Sequence, residues 1–384
     1  MKRILVSCTL VASVLAYACS SKTDGAKNDA TTNPDNTLPT EDADAGGSSS
    51  GGEDGGGPDT SVPPGGEDPS GNPILLGAPR TVRTFTPAGG TPHFVDGPAW
   101  SPAKNMLFVS LPFAQNASGG KGILTQFKID GTSYTELRAG DKVMFGAVGN
   151  TVDKDGNLFS AELKAITRTT AAGTAPEIVA TGWSTGVEGA PITPFDAPND
   201  LVVLDDGTIF FTDPGYGVDP RPQMGRLFKI KPGDAFATVV ASYDYNPSPN
   251  GIALSKDQKS LFVGFTSPGE GTLPFVRKYV IKDDRSLEDA GKFLETPVGS
   301  DPDGLAMDEN DNLYVAMKGG IGVYKANGAQ GVPYGNDVNK VPQTKIDGDP
   351  TGLSFGGPDR KSLFVTTTNG KALELKTKVA GLLH

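Results

Sequence analysis

The residues best suited to chemistry in this sequence occupy one position of an internal repeat. Six segments start 48 to 53 residues apart. Each begins with the residue at this position and continues with a short stretch of alternating apolar residues, a polar turn and a second apolar run. The first residues of the segments are Asp96, Val148, Asn199, Asn250, Asp303 and Thr351. Four of them carry carboxylate or amide oxygens, which are the ligands that hard divalent cations such as Ca²⁺ prefer.

The repeat predicts an all-β fold. Two runs of period two joined by a tight polar turn are typical of a β-hairpin, and the rest of each unit holds two more strand-like stretches. Helical periodicity is scarce, and 51 glycines with 31 prolines would interrupt helices. Six units of four antiparallel strands predict a six-bladed β-propeller over residues 74–384, with no length left for a second domain.

Strands from both ends of the repeat region should close the ring. We expect the alternating segment Arg80 to Thr86 to pair beside Ala372 to Lys376 in the last blade. Because equivalent positions of a propeller lie at equal radius and depth, the first residues of the repeats should converge on the central channel. Asn-Gly and Asp-Gly are also common turn dipeptides, so the pattern alone leaves open both a shared cation site and ordinary turns.

Composition argues against several kinds of function. The chain has only two histidines, His93 and His384, which disfavours histidine-ligated zinc and most Ser-His or Cys-His catalysis. Both cysteines, Cys8 and Cys19, precede the repeats, so the repeats contain no disulfide. Most of the net charge of −11 comes from residues 20–73, and the nearly neutral remainder argues against nucleic acid as a partner. We expect a monomer.

The first 73 residues predict export and a tether. Residues 1–18 have a basic start, an apolar stretch and small residues before Cys19, as in an export signal. The position of Cys19 resembles the lipobox of bacterial lipoproteins, which predicts a lipidated cell-envelope protein on a periplasmic or outer-membrane face; cleavage after the Ala-Tyr-Ala triplet is the alternative. Residues 19–73, rich in Gly, Ser, Asp and Pro, predict a disordered tether.

Four of the repeats share motifs with a known family. They are APNDLVVLDDGTIFFTDPGYG from Ala197, SPNGIALSKDQKSLFVGF from Ser248, DPDGLAMDENDNLYVAMKGGIGVY from Asp301 and PTGLSFGGPDRKSLFVT from Pro350. In these motifs and their spacing the chain resembles the gluconolactonase and regucalcin (senescence-marker-protein-like) family of six-bladed propellers, over all six units. The resemblance implies one divalent cation on the channel axis and hydrolysis of sugar lactones.

The resemblance also implies a set of metal ligands. They are the four oxygen-bearing residues that the repeat selects: Asp96, Asn199, Asn250 and Asp303. Asp96 stands where the family usually has Glu, which is one methylene longer. Leu163 follows Glu162 where many bacterial members have His, and Ala197 stands where the regucalcin branch has a substrate-binding Arg. The metal frame is therefore expected to be kept, while the substrate contacts differ.

Metal-assisted hydrolysis of a sugar lactone or similar cyclic ester is the function that these residues predict. The cation, Ca²⁺ first and Zn²⁺, Mn²⁺ or Mg²⁺ as alternatives, would polarise the ester carbonyl, with Asp303 as the general base. Asn199, Tyr216 and Glu162 are the predicted substrate contacts, although Tyr216 could instead pack within its loop and Glu162 could lie on the surface. The alternative function is a non-catalytic ligand-binding propeller that retains the metal site.

Overall fold

The computed structural model describes most of the chain after residue 74. The described residues are 75–86, 92–115, 121–130, 133–140, 146–173, 175–187, 189–216, 218, 222, 224–244, 247–266, 273–325, 332–333 and 344–383. The chain divides into two units, residues 1–63 and 64–384, and every described residue belongs to the second. The predicted signal peptide, Cys19 and tether lie outside the described residues. Within them, no helix has the length and apolar character needed to span a membrane.

The described part of the chain forms twenty-seven strands. The first fifteen are β1 (Leu75–Thr84), β2 (Asp96–Ser101), β3 (Met106–Gln115), β4 (Lys121–Phe127), β5 (Tyr134–Gly140), β6 (Ala147–Val152), β7 (Leu158–Glu162), β8 (Ala165–Thr169), β9 (Glu177–Ala180), β10 (Gly182–Trp183), β11 (Thr193–Pro194), β12 (Leu201–Val203), β13 (Ile209–Asp213), β14 (Met224–Ile230) and β15 (Thr238–Asp244). The remaining twelve are β16 (Pro249–Leu254), β17 (Ser260–Phe265), β18 (Phe275–Ile281), β19 (Leu287–Glu295), β20 (Leu305–Met307), β21 (Asn312–Met317), β22 (Gly320–Lys325), β23 (Val332–Pro333), β24 (Thr344–Lys345), β25 (Pro350–Gly356), β26 (Ser362–Thr367) and β27 (Lys371–Thr377).

These strands form six antiparallel blades around a central channel, which confirms the predicted propeller. In order from the channel outward, the blades are β2-β3-β4-β5, β6-β7-β8-β9, β12-β13-β14-β15, β16-β17-β18-β19, β20-β21-β22-β23 and β25-β26-β27-β1. We number them blades 1 to 6. In blade 5, β24 also pairs with β22. The short hairpin β10-β11 is an insertion between blades 2 and 3 that the repeat did not predict.

Apolar packing between neighbouring blades holds the ring together. The buried hydrophobic residues form six clusters, and each joins two adjacent blades. In the cluster between blades 2 and 3, for example, Phe211 and Phe228 stack with ring centroids 5.1 Å apart, and Phe195 meets Phe211 edge to face. Since every strand alternates its side chains between the two faces of its blade, each blade contributes to two clusters. The period-two pattern therefore explains the stacking of blades.

The predicted closure of the ring is confirmed. β1 pairs with β27, with Arg80 opposite Glu374 and Thr84 opposite Lys371. Glu374 is only 3% exposed and accepts hydrogen bonds from Arg80 Nε at 2.8 Å, Ser362 Oγ at 2.6 Å and Lys376 Nζ at 2.6 Å. One buried carboxylate thus ties the N-terminal strand of the propeller to two strands of its last blade.

Residues 378–383 cross the end of the channel that lies opposite Asp96. The N–H groups of Gly381 and Leu382 donate to the carbonyls of Arg360 and Met307, at 2.8 and 2.9 Å. Leu382 and Leu383 line the channel cavity. Leu382 packs with the cluster between blades 4 and 5, and Leu383 with the cluster between blades 6 and 1. The segment therefore closes one end of the channel.

Replacing Glu374 by Gln should weaken the ring closure in a pH-dependent way. Burial would raise the pKa of Glu374, but hydrogen bonds from Lys376, Ser362 and Arg80 outweigh it and hold the pKa below its usual value. The carboxylate therefore stabilises the fold at neutral pH, and this contribution disappears as the pH falls through its lowered pKa. We expect the free energy of unfolding to drop by about 2 kcal/mol at pH 7 in urea titrations.

The same titrations near pH 3 should show a much smaller difference between wild type and Glu374→Gln. The matched control is Glu288→Gln, because Glu288 is 61% exposed and pairs only at the surface with Lys282. This control should change stability by less than about 0.5 kcal/mol. An equal loss in both variants, or a loss independent of pH, would contradict the role assigned to Glu374.

Candidate functional site

The inner strands approach each other most closely where the repeats begin. Five of the six residues that follow the first repeat position are glycines, and a Cβ atom at any of them would meet the next blade at a distance that real Cβ atoms do not reach. The distances are 2.0 Å from Gly97 to Val148 O, 2.4 Å from Gly149 to Asn199 O, 1.9 Å from Gly251 to Asp303 O, 2.6 Å from Gly304 to Gly352 Cα and 2.3 Å from Gly352 to Pro98 Cδ. These glycines permit a narrow channel instead of marking turns.

The close approach brings the predicted site residues to the channel. Asp96, Asn199 and Asp303 line one cavity of about 80 Å³, although they come from blade 1, from the start of blade 3 and from the start of blade 5. Asp96 is the first residue of β2, where it lies opposite Ser110 of β3 and its Oδ1 accepts the N–H of Gly97 at 2.8 Å. The cavity has room for an ion and one or two waters, so most of a substrate would have to remain at its mouth.

Asn250 lies against this group and leaves one of its polar atoms without a partner. Its side-chain amide is hydrogen-bonded to the Asp303 carboxylate. Its Oδ1 is buried and makes no hydrogen bond. Its backbone carbonyl accepts the Thr212 hydroxyl at 2.8 Å, which fixes the start of β16 against blade 3. A buried amide oxygen without a donor is costly in a folded protein, so this atom calls for a partner such as a cation.

Asp200 is a third channel carboxylate that the sequence reasoning missed. It occupies the position that is glycine in the other five blades and lines the same cavity. Its Oδ1 accepts the N–H of Leu201 at 2.9 Å, and its Oδ2 accepts the N–H of Ile252, in blade 4, at 3.1 Å. Asp200 therefore links blades 3 and 4 beside Asn250. The only signal in the sequence was the departure from glycine at this one repeat.

Burial is the main cause of raised pKa values in all three carboxylates, and neighbouring carboxylate charge adds to it at Asp96 and Asp303. Burial raises the pKa of Asp96 to about 7, against the lowering effect of the Gly97 N–H, and the charge of Asp200 adds to the rise. Burial also raises the pKa of Asp200 to about 7, although the N–H groups of Ile252 and Leu201 oppose it. For Asp303, burial and then the charges of Asp96 and Asp200 raise the pKa well above its usual value. The site therefore holds three carboxylates in a buried environment, where their charged forms are poorly solvated.

The residues present fit a hard divalent cation. A cation would offset the repulsion between the carboxylates and would give the buried Asn250 oxygen a partner. Within the described residues, no three His, Cys, Asp or Glu side chains are arranged so that they could hold a metal ion. The fit therefore depends on a mixed set of carboxylate and amide oxygens, with Asp96, Asn199, Asn250 and Asp303 as the residues that could hold the ion. Such all-oxygen sets suit Ca²⁺.

Asn150 is a second residue that the sequence reasoning missed. It lines the cavity from β6. Its Nδ2 donates to the carbonyl of Gly97 at 2.8 Å and to the hydroxyl of Ser110 at 2.7 Å, and its Oδ1 accepts the hydroxyl of Ser160 at 2.7 Å. Its Nδ2 thus holds the peptide after Asp96 and the residue opposite Asp96, while Ser160 of its own blade fixes its Oδ1. Asn150 positions Asp96.

Two of the predicted substrate contacts lie apart from the cavity. Glu162 ends β7, is 2% exposed and accepts the Thr167 hydroxyl at 2.9 Å within its own blade. Tyr216 is half-buried in the connection between β13 and β14. Neither is among the residues that line the channel cavity. Their contacts with a substrate remain predictions, whereas Asn199 does line the cavity.

The fold and the site together define a six-bladed propeller with a polar, oxygen-lined channel. The model of the family described as "SMP-30/Gluconolactonase/LRE-like region" matches residues 96–369, and the chain belongs to this family. It is 24% identical over 307 residues to a gluconolactonase of Zymomonas mobilis, a match that covers 74% of this chain and 79% of that protein. It is 30% identical over 177 residues to a pentonolactonase of Haloferax volcanii, covering 45% and 53%.

A solved structure of similar fold is the gluconolactonase of Xanthomonas campestris. It superposes with a TM-score of 0.60 at 22% sequence identity, over 82% of this chain and 99% of that one. At this identity the likeness shows the fold.

The charge cluster makes a prediction about the protein in a chelator. Replacing Asp303 by Asn removes one of three buried, mutually repelling carboxylates and keeps a side chain of similar size. We expect the free energy of unfolding in EDTA at pH 8 to rise, because the variant removes a charge that burial and the Asp96 and Asp200 carboxylates disfavour. The wild type becomes more stable as the pH falls below about 7, where Asp96 takes up its proton, so the advantage of the variant should shrink at pH 5.

Urea titrations of both proteins at pH 8 and pH 5 measure this effect. Asp283→Asn is the matched control, because Asp283 is exposed. The control should leave stability unchanged at both pH values. A loss of stability in Asp303→Asn at pH 8 would show that the carboxylates do not repel one another in the way that their burial implies.

Proposed function

We propose that the protein hydrolyses a sugar lactone or a similar cyclic ester with the help of one divalent cation. The observation that carries the proposal is the convergence of Asp96, Asn199 and Asp303 on one cavity, with the unpartnered Oδ1 of Asn250 beside them. Membership of the family that includes gluconolactonases supports the choice of reaction. We further propose that Ca²⁺ is the native ion and that the protein is a monomer.

Asp96, Asn199, Asn250 and Asp303 would hold the ion. A divalent cation bound there supplies Lewis acidity toward the ester carbonyl and lowers the pKa of water. Asp96, one methylene shorter than the Glu usual in the family, lies at the very start of β2, where Asn150 fixes the following peptide.

Asp303 is the residue to which we assign general-base catalysis. Asp303 lines the cavity from the start of blade 5, so its carboxylate would face a water held at the ion. The Asn250 amide holds the carboxylate in place. Asp303 would take a proton from the attacking water as the bond from water oxygen to carbonyl carbon forms. It would return that proton to the ring oxygen as the ester bond breaks, which yields the open hydroxy acid.

Substitution of Asp303 tests the proposal. We expect Asp303→Asn to lose bound metal, measured by elemental analysis, and to lower kcat for a lactone by about 10²- to 10⁴-fold. Acid release from a panel of aldonolactones and simple lactones, followed with a pH indicator, measures turnover. Asp283→Asn serves again as the control and should keep both properties.

Three outcomes of these measurements would overturn the proposal in part or in whole. Full turnover in Asp303→Asn would remove Asp303 as the base. Full turnover in EDTA would remove the cation. Tight metal binding by wild type with no hydrolysis of any lactone would favour the non-catalytic binding module instead.

We also propose that the protein is an exported lipoprotein anchored through Cys19. The support is the leader of residues 1–18 and the position of Cys19 directly after it. Intact-mass analysis of the mature protein should show acyl chains on Cys19, and Cys19→Ser should move the protein from the membrane fraction to the soluble fraction. Cleavage before Cys19 without added acyl mass would contradict the anchor.

A further inference from the structure

Two aromatic rings stand at the open end of the channel, directly beyond Asp96. Asp96 of β2 lies opposite Ser110 of β3 in an antiparallel pair. Phe94 is two residues before Asp96 and Phe113 is three residues after Ser110, so both continue past this pair in the same direction. Their rings meet edge to face with centroids 5.5 Å apart. Both rings therefore lie on blade 1, beyond the Asp96 end of the Asp96–Ser110 pair.

Phe113 is unusually exposed for a side chain of its kind. It is 77% exposed, the largest exposed fraction among the large hydrophobic side chains of the described residues. Its neighbours in β3 differ sharply, since Leu111 and Ala114 are both buried. A phenylalanine that exposes most of its surface to water contributes little to the stability of the fold. A ligand that covers this surface would gain the free energy of burying it.

The size and polarity of the cavity decide which part of a ligand Phe94 and Phe113 can contact. The cavity of about 80 Å³ is lined at this end by Asp96, Asn199, Asp200 and Asp303. The substituents of a ring ester whose carbonyl reaches those oxygens would extend out of this end, on the side where Phe94 and Phe113 continue past Asp96. An alkyl or aryl substituent there would gain the burial of apolar area against the two phenyl rings.

We propose that Phe94 and Phe113 form a substrate-contacting pair that selects lactones with an alkyl or aryl substituent over unsubstituted ones. The proposal rests on the proposed lactone hydrolysis and adds a determinant of specificity to it. Contact between an aromatic pair and a phenyl substituent adds to the burial of apolar area, whereas a small lactone does not reach the pair. Phe113 supplies the exposed face, and Phe94 holds it in place.

The test compares two lactones with the same ring. For the full-length protein and Phe113→Ala, kcat/KM is measured for γ-phenyl-γ-butyrolactone and for γ-butyrolactone. Wild type should prefer the phenyl compound, and Phe113→Ala should lower the ratio of the two values about tenfold. Phe113→Tyr, which keeps the ring, should restore the ratio. Ile178→Ala removes another exposed apolar side chain, 58% exposed on the outer strand β9, and should leave the ratio unchanged.

A wild type that does not prefer the phenyl compound, or an unchanged ratio in Phe113→Ala, would overturn the proposal. Failure of the proposed hydrolysis is separable from failure of the aromatic pair. If wild type hydrolyses neither lactone, calorimetric titration with 5-phenyl-2-pyrrolidinone, a lactam that resists hydrolysis, decides the matter. About tenfold weaker binding by Phe113→Ala supports the pair, and equal binding overturns it.

The same exposed ring could instead contact a lipid surface, and one measurement separates the two. Wild type and Phe113→Ala, both without lipid on Cys19, are sedimented with vesicles of phosphatidylcholine and phosphatidylglycerol. Loss of vesicle binding in Phe113→Ala, with no change in the lactone ratio, would assign the surface to membranes and overturn the proposal. Absence of vesicle binding by wild type, with the expected change in ratio, supports it.

Discussion

The close approach of the six inner strands is the constraint on which the rest of the structure depends. Wherever a glycine follows the first repeat position, a Cβ would lie inside the neighbouring blade. This contact brings side-chain oxygens from blades 1, 3 and 5 into one small cavity, with Asn250 of blade 4 beside them. The narrow ring that gathers the ligands also dehydrates them, and so it is the source of the raised pKa values of Asp96 and Asp303.

Blade 3 resolves the same constraint in a different way. It has Asp200 where its neighbours have glycine, and the carboxylate spans to the Ile252 N–H of blade 4. That N–H lies at the end of a register shift of β16 against β17, between Pro249 and Ile252, and Asn250 lies within the shifted stretch. The inner strands of blades 1, 2 and 6 have a register shift at the same place, so the shift belongs to the repeat and Asp200 is the exception.

The fold could be predicted from the sequence because the strand pattern repeats six times at nearly the same spacing. Six alternating hairpins at one spacing leave few other arrangements, and β1 beside β27 follows from the need to close the ring. The convergence of Asp96, Asn199 and Asp303 followed from the same period. Asp200 and Asn150 were missed because their importance depends on hydrogen bonds between blades, and strand register is not visible in a repeat. For Glu162 the repeat pattern was no guide to where the side chain points, since a side chain at the end of a strand can face a neighbouring strand of the same blade as readily as the channel.

The segment that crosses the far end of the channel, with Leu382 and Leu383 facing inward, turns the axial passage into a blind well. Whatever reaches the oxygens at its base has to leave by the route through which it came. A ring-opened hydroxy acid would then stand between the site and the next molecule until it departed. Accumulating acid should therefore inhibit turnover, because it competes with lactone for the one open end of the channel. The rate at which the acid leaves through that end would set the upper limit of kcat.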